Sequence, residues 1–306
     1  MRIIEGLRAD SLPESVVAQG MFDGVHRGHQ ALLDACRCYA DALALPAVTL
    51  TYEPHPSRVV RPDAPTPLLT PLPEKLERLE ALGADATVIA EFTPAFSQLT
   101  PEEFVADMVS AVHPRVIVVG YRATFGRDRA GTTDALQQLG ESYGFAVEVV
   151  PPVEIAGGPV SSTRLRQTLE RGEIELATEL LGYHYRMTGI VTHGDARGRE
   201  LGYPTANLEV TPEKLIPGDG VYAVGVQIQG ARYRAVMNIG ARPTFNRPHS
   251  LEVHLIDYTG DLYGKSITVF FSTRLRDSRT FASAGELQQQ IGHDIVRARM
   301  MALHQA

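Results

Sequence analysis

Two histidines, His26 and His29, stand three residues apart in the stretch GMFDGVHRGHQALL at residues 20–33, where an apolar run gives way to a helical pattern. Imidazoles at that spacing share one face of a first helical turn. They can donate to phosphate oxygens and to charge developing on a leaving pyrophosphate. Glycines here let the backbone approach a ligand, and a helix N-terminus adds unpaired N–H groups with partial positive charge. The stretch reads as a nucleotide-phosphate cradle built from Gly20, Phe22, Asp23, Gly24, His26 and His29. The competing reading, a tight turn with two surface histidines, is weakened by the Phe-Asp-Gly and the strand before it. The spacing is neither that of a Walker loop nor a dinucleotide fingerprint. His55, between Pro54 and Pro56, is expected in a stiff extended segment that presents a further imidazole to the same cleft. SSTRLR at 161–166 gathers hydroxyls and guanidiniums, and Ser161, Ser162, Thr163 and Arg166 suit phosphate oxygens. Ser162 or Thr163 can also open a helix as its cap.

A second set lies in THGDARGRELGYPTANL at 192–208. Gly194, Arg197, Gly198 and Arg199 put cations on a flexible loop suited to polyphosphate. Thr205 and Asn207 are two apart, so in an extended segment their oxygens share a face. Such hard donors suit magnesium held largely by nucleotide phosphates. In LEVHL at 251–255, Glu252 and His254 share a strand face, and the carboxylate could take a proton from an attacking hydroxyl. Alone, that pair is as well explained by the polar face of a barrel strand.

The elements that must position these groups follow from pattern. Over residues 15–150, apolar strands alternate with amphipathic helices, which implies a doubly wound parallel sheet with helices on both faces. Strands are expected at 15–20, 46–52, 86–92, 115–120 and 145–150, and helices at 28–44, 73–82, 100–112 and near 132–143. Thr100 and Glu103 form a capping box. Ligands bind beyond the carboxyl ends of such strands, where the histidine stretch falls. After 161–182 and the stop signal Gly182, short β-rich runs punctuated by Gly and Pro indicate a small antiparallel barrel, closed by a C-terminal helix. The expected domains are therefore 1–183 and 184–306.

Bulk properties narrow the function. The 306 residues suffice for two cores, and the formal charge of -7 speaks against broad nucleic-acid or membrane-surface binding. No window approaches the ~20 apolar residues of a membrane span, and the N-terminus lacks a signal-peptide core. Cys36 and Cys38, two apart on a helix, are poorly placed for a disulfide or zinc. A cytoplasmic protein acting on small molecules is expected, with a monomer as the default.

Taken together, GMFDGVHRGH, PHP, FGRDRAG, SSTRLR, GDARGRELGYPTANL, GVYAV, NIGARPTF, LEVHL and DLYG resemble, in order and nearly end to end, the prokaryotic bifunctional riboflavin kinase/FAD synthetase family. The resemblance implies a nucleotidyltransferase-type sheet domain that joins FMN to the adenylyl group of ATP, and a riboflavin kinase-type barrel that makes FMN from riboflavin with ATP and Mg²⁺. By motif, it implies Glu252 as kinase base, Thr205 and Asn207 as metal ligands, and His26 and His29 as catalytic residues of the adenylyltransferase. It implies nucleotide contacts at His55 and Tyr222 as well, and flavin contacts at Arg122, Ala123, Phe125, Gly126, Asn238, Arg242, Glu252 and Arg276. The chain also departs from the family pattern. GYRATFG carries Arg122 for an acid or amide and Ala123 for an aromatic, and Val60 stands where an aromatic is expected. These changes imply an intact ATP cradle beside a reshaped flavin pocket, and leave open a kinase whose adenylyltransferase is weak or altered.

Overall fold

The structure, a computed structural model, describes residues 1–193, 202–241 and 249–300. Its chain divides into two compact units, Met1–Ser162 and Thr163–Ala306.

The first unit holds strands β1 (Arg2–Glu5), β2 (Ser15–Gln19), β3 (Ala47–Glu53), β4 (Ala86–Glu91), β5 (Pro114–Gly120) and β6 (Ala146–Val150). They pair in parallel in the order β1-β4-β3-β2-β5-β6. The helices between them are α1 (Arg27–Leu43), α2 (Pro56–Val60), α3 (Leu72–Ala81), α4 (Pro101–Val112) and α5 (Thr133–Tyr143). Alternate residues of β2 serve two cores. Val16 and Ala18 join Leu33 and Cys36 of α1 and Leu79 of α3, while Val17 joins Phe104 and Met108 of α4 and Leu136 of α5. That division explains why β2 is buried on both faces and reads as a continuous apolar run. Strands β3 and β4 follow to one side of β2, and β5 and β6 to the other, so the carboxyl ends of β2 and β5 flank the switch point where open α/β sheets bind ligands. The capping box at α4 has both of its bonds, Glu103 N–H to Thr100 Oγ1 at 3.2 Å and Thr100 N–H to Glu103 Oε2 at 2.8 Å.

Four strands and helices of this unit escaped the sequence reading: β1, α2 and the two strands of a short hairpin. Strand β1 is a four-residue edge strand beside β4, too short to show a period. Helix α2 replaces the extended segment expected around His55: the imidazole is its N-cap, with Nδ1 accepting from Ser57 N–H at 3.2 Å. A short hairpin of β7 (Glu154–Ile155) and β8 (Gly158–Pro159) ends the unit.

The second unit opens with α6 (Ser162–Glu170) and α7 (Ile174–Leu181). Sequence pattern put both helices with the first module, yet they pack with the barrel. Ile174, Ala177, Leu180 and Leu181 are fully buried, α7 lies against the last barrel strand, and Gly218 N–H donates to Leu169 O at 2.9 Å. The barrel is closed by β9 (Arg186–Thr192), β10 (Ala206–Val210), β11 (Gly220–Ile228), β12 (Ala231–Ala241), β13 (His249–Leu255) and β14 (Ser266–Arg276), in the order β10-β13-β12-β11-β14-β9. Its interior is filled by Met187, Val191, Tyr222, Val224, Met237, Val253 and Phe271. Gly189 is required where β9 meets β10, because a Cβ there would run into the Glu209 carbonyl. Helix α8 (Ala284–Arg299) covers an outer patch, with Ala298 against Val221, Ala223, Val236 and Leu275.

Candidate active sites

The histidine stretch begins where β2 ends. Phe22 and Val25 adopt left-handed backbone at φ 50° and 34°, a strained turn for non-glycine residues. Asp23, almost fully buried, holds the turn: its Oδ1 accepts from Leu69 N–H at 2.9 Å and Thr70 N–H at 3.0 Å. Gly24 N–H donates to Thr70 Oγ1 at 2.8 Å, and Ser162 Oγ donates to Asp23 O at 2.8 Å. His26 is the N-cap of α1, its Nδ1 accepting from His29 N–H at 3.3 Å, so its ring proton sits on Nε2. The two imidazoles stack with centroids 3.7 Å apart and planes 10° apart. Phe22 meets His29 edge-on at 5.3 Å.

This geometry accounts for two of the glycines. A Cβ on Gly28 would lie 3.2 Å from His26 Cε1, and one on Gly20 would lie 3.3 Å from Phe22 Cζ. A side chain at either position would press on these rings. Desolvation holds the His29 pKa well below the ordinary imidazole value, and the neighbouring His26 and Lys75 lower it further. Among the described residues, His29 Nδ1 and, at the end of β2, Gln19 Oε1 are buried without a hydrogen-bond partner.

Several expectations change here. Phe22, 0% exposed, cannot offer its ring to a nucleotide; it backs His29 instead. Asp23 acts on the turn through backbone donors. Helix α6 starts at Ser162 itself, so Ser161 is the flanking residue. Thr163 and Arg166 fall in the second unit, on the first turns of α6.

The loop after β5 stands at the same sheet end. Arg122 is exposed, its guanidinium 5.2 Å from the Tyr121 ring centroid, and Ala123 packs partly buried against the core. Phe125 is a core residue rather than a free flavin surface: it is 6% exposed, stands 5.6 Å from Phe104, and exchanges two backbone bonds with Gly131. Gly126, at φ 70°, lets the chain pass Pro101, whose backbone N a Cβ would approach to 2.8 Å. Val60 is 63% exposed at the end of α2.

In the barrel, register assembles residues that the sequence scatters. Asn207 of β10 is opposite Glu252 of β13, Glu252 is opposite Asn238 of β12, Asn238 is opposite Val221 of β11, and Val221 is opposite Arg276 of β14. Since register partners share a face and their neighbours Ala206, Val253 and Met237 point inward, this row lies on the outside of the barrel. Thr205 immediately precedes β10, two residues from Asn207. Ser250 Oγ donates to Glu252 Oε1 at 2.8 Å. Arg276 Nε donates to Asp294 Oδ2 of α8 at 2.9 Å, and Gln290 Nε2 donates to the other oxygen of Asp294 at 2.9 Å. His254 Nδ1 lies 2.8 Å from Pro204 O and ties β13 to the threonine–asparagine segment.

Tyr222 does not join this row. Its ring fills the barrel interior, and its hydroxyl donates to Gly218 O; burial pushes its pKa up to about 12. Its side chain leaves no surface for a nucleotide. Gly194, Arg197, Gly198, Arg199 and Arg242 lie outside the described residues.

Sequence reading passed over the buried polar groups that tie down the histidine turn and the strand end before it: Thr70, Thr51 and Lys75. Lys75 carried a signal, since it precedes the buried Leu79 by one helical turn and so belongs to the apolar stripe of α3. Among the described residues no three of His, Cys, Asp and Glu gather into a metal-ligand group, and no helix is long and apolar enough to cross a membrane.

Family models described as FAD synthetase and riboflavin kinase match residues 9–164 and 181–302. The bifunctional riboflavin kinase/FMN adenylyltransferase of Pseudomonas fluorescens is 38% identical over 309 residues, covering 99% of this chain and 98% of that one. The protein of that name from Bacillus subtilis is 36% identical over 287 residues, covering 92% and 90%. A solved Streptococcus pneumoniae structure, named as a macrolide-efflux protein, matches with TM-score 0.90 at 34% identity over 99% of this chain and 100% of its own.

Proposed function

The chain belongs to the bifunctional riboflavin kinase/FMN adenylyltransferase family, and we propose that its two reactions run at the imidazole pair and at the outer barrel row. The enzyme phosphorylates riboflavin with ATP to FMN, then adenylylates FMN to FAD. Both halves match across full-length relatives, which favours two working activities over a kinase with an idle partner. Efflux, in the pneumococcal neighbour's name, stays with that protein; shared here is a fold.

For the kinase, one observation carries the assignment: β10–β13 register sets Asn207 directly opposite Glu252. The riboflavin 5′-hydroxyl attacks the γ-phosphorus of ATP, Glu252 takes its proton, and ADP leaves. Thr205 and Asn207 would hold Mg²⁺: neutral hydroxyl and amide oxygens fit an ion whose charge is balanced mainly by phosphates. When bound, that ion neutralises charge on the transferring phosphates. Arg276, fixed by Asp294, and Asn238 orient the flavin on the same face, while Gly194, Arg197, Gly198, Arg199 and Arg242 complete the polyphosphate and flavin contacts.

For the adenylyltransferase, an oxygen of the FMN phosphate attacks the α-phosphorus of ATP and pyrophosphate departs. His26 and His29 donate to the phosphate oxygens as charge builds. Gly20, Gly24, His55, Ser161 and Ser162 complete the ATP side. The loop of Arg122, Ala123 and Gly126, backed by Phe125, borders the flavin side. We assign adenylyl transfer to the first module and phosphoryl transfer to the barrel; the sequence draws these modules at 1–183 and 184–306, with α6 and α7 packing against the barrel. We place the enzyme in the cytoplasm, where its free Cys36 and Cys38 match a reducing compartment.

Purified protein incubated with riboflavin, ATP and Mg²⁺, with flavins separated afterwards, should yield FMN and then FAD. FMN without FAD would remove the adenylyltransferase assignment, and neither product would remove both.

A further inference from the structure

Strand β10 meets β13 at two register positions, Ala206 with Val253 and Asn207 with Glu252. Pro204 and Thr205 lie just before the strand's first residue. Proline has no N–H, so Pro204 cannot extend the ladder as a donor, and its carbonyl is the group left to be held. His254 Nδ1 stands 2.8 Å from that carbonyl oxygen. A carbonyl only accepts, so the imidazole donates and its proton is on Nδ1. The same ring meets Tyr203 edge-on, with centroids 5.6 Å and planes 88° apart. Tyr203 in turn lies beside α8, where a Cβ on Gly292 would be 3.4 Å from its hydroxyl oxygen. His254 is thus two residues from Glu252, on the same face of β13, and bonded to the residue that precedes Thr205. At this half-buried place water competes for both partners, so the bond adds little to stability. What it fixes is position.

We propose that His254 is a positioning residue of phosphoryl transfer: it clamps the segment of Thr205 and Asn207 to β13, the strand that carries Glu252. This rests on reading Thr205 and Asn207 as the Mg²⁺ donors and Glu252 as the base. One strand then carries both the base and the clamp, so the distance between the proton acceptor and the metal donors is set by β13 itself. Asn207 is held by the ladder; Thr205, beyond the strand, is held through its neighbour Pro204. The imidazole touches neither substrate nor metal in this role and acts through the backbone alone.

The test follows hydrogen exchange of the peptide spanning residues 203–207 in the full chain, with ADP alone and with ADP and Mg²⁺, for wild type, His254→Asn, His254→Gln and His254→Leu. FMN formation is followed beside it against Mg²⁺ at saturating ATP and riboflavin. Asparagine carries an N–H as many bonds from Cβ as imidazole Nδ1; glutamine carries it one atom farther out, as Nε2 does, and leucine has none. His254→Gln and His254→Leu should exchange faster in this peptide. Both should need roughly tenfold more Mg²⁺ for half-maximal protection and half-maximal rate, the low end for a group that orients metal donors. His254→Asn should keep wild-type behaviour in both measurements. The glutamine variant guards against a leucine variant that does not fold. An asparagine variant that falls as far as glutamine, an unmoved Mg²⁺ requirement in both other variants, or exchange that rises equally over β11 and β12 overturns the proposal. A wild-type chain that makes no FMN, or shows no Mg²⁺-dependent protection at 203–207, overturns the reading of the donors and this proposal with it; wild-type protection with unmoved variants overturns this proposal alone.

Discussion

The imidazole pair and the outer barrel row, proposed above as the two phosphate-handling sites, are built in opposite ways. The first is local: Phe22, His26, Gly28 and His29 lie within one turn, and their rings determine where glycine must stand. Its side chains are buried or nearly so, and burial disfavours charge on His29. The second is dispersed: Asn207, Asn238, Glu252 and Arg276 come from four strands and meet only through register. A local site is held by its own backbone and tolerates little change within it. A register-built site depends on the whole barrel but gives each residue a separable role.

Substitutions can break this contrast. The largest expected effect is at the single carboxylate: Glu252→Gln should lower FMN formation by about 10²–10⁴-fold, the range for a lost general base, while FAD formation from supplied FMN persists. Equal loss of both would mean one site rather than two. Replacing His26 and His29 together with Ala should do the reverse, lowering FAD formation by about 10²–10³-fold with riboflavin phosphorylation retained. Gly28→Ala sharpens the claim of local construction. Its Cβ at 3.2 Å from His26 Cε1 must push the ring aside, and FAD formation should fall about tenfold; an unaffected rate would show that the ring position is not critical. Smaller again, and opposite in sign, Arg122→Asn with Ala123→Phe should raise FAD output about severalfold by restoring a neutral stacking surface. An unchanged or lower rate would count against the pocket reading.

The smallest effect separates the two units by alkaline stability. Burial raises the Cys36 pKa from 9.0 to about 11. A raised group binds more protons folded than unfolded, so its contribution is whole below 9.0 and is lost as pH climbs to about 11. In the barrel, Tyr222 is raised from 10.0 to about 12, so its loss starts one unit later. Hydrogen exchange followed by peptide should show the sheet around α1 loosening first. Cys36→Val should remove that early loss.

Periodicity and caps sufficed for most helices and strands of the first unit, because each carries its own signal, such as alternation between two cores or the Thr100–Glu103 box; in the second unit Gly182 marked the end of α7 in the same way. The histidine turn was legible for the same reason, since its chemistry and its glycines are contiguous. The barrel row was legible only through its motifs, because sequence carries no strand register. A shift between Val221 and Tyr222, where β14 bulges, is what sets Arg276 opposite Val221 and in reach of Asp294. Burial likewise lay beyond the sequence. Phe22, Phe125 and Tyr222 sit in site-like motifs, yet each spends its ring on packing, and Lys75 in an ordinary amphipathic helix is drawn inward to Thr51. Residue types and spacing determine which groups are available and which local shapes they favour. Which of them face a ligand is decided by long-range packing, where a neighbour distant in the chain removes or leaves the water around each side chain.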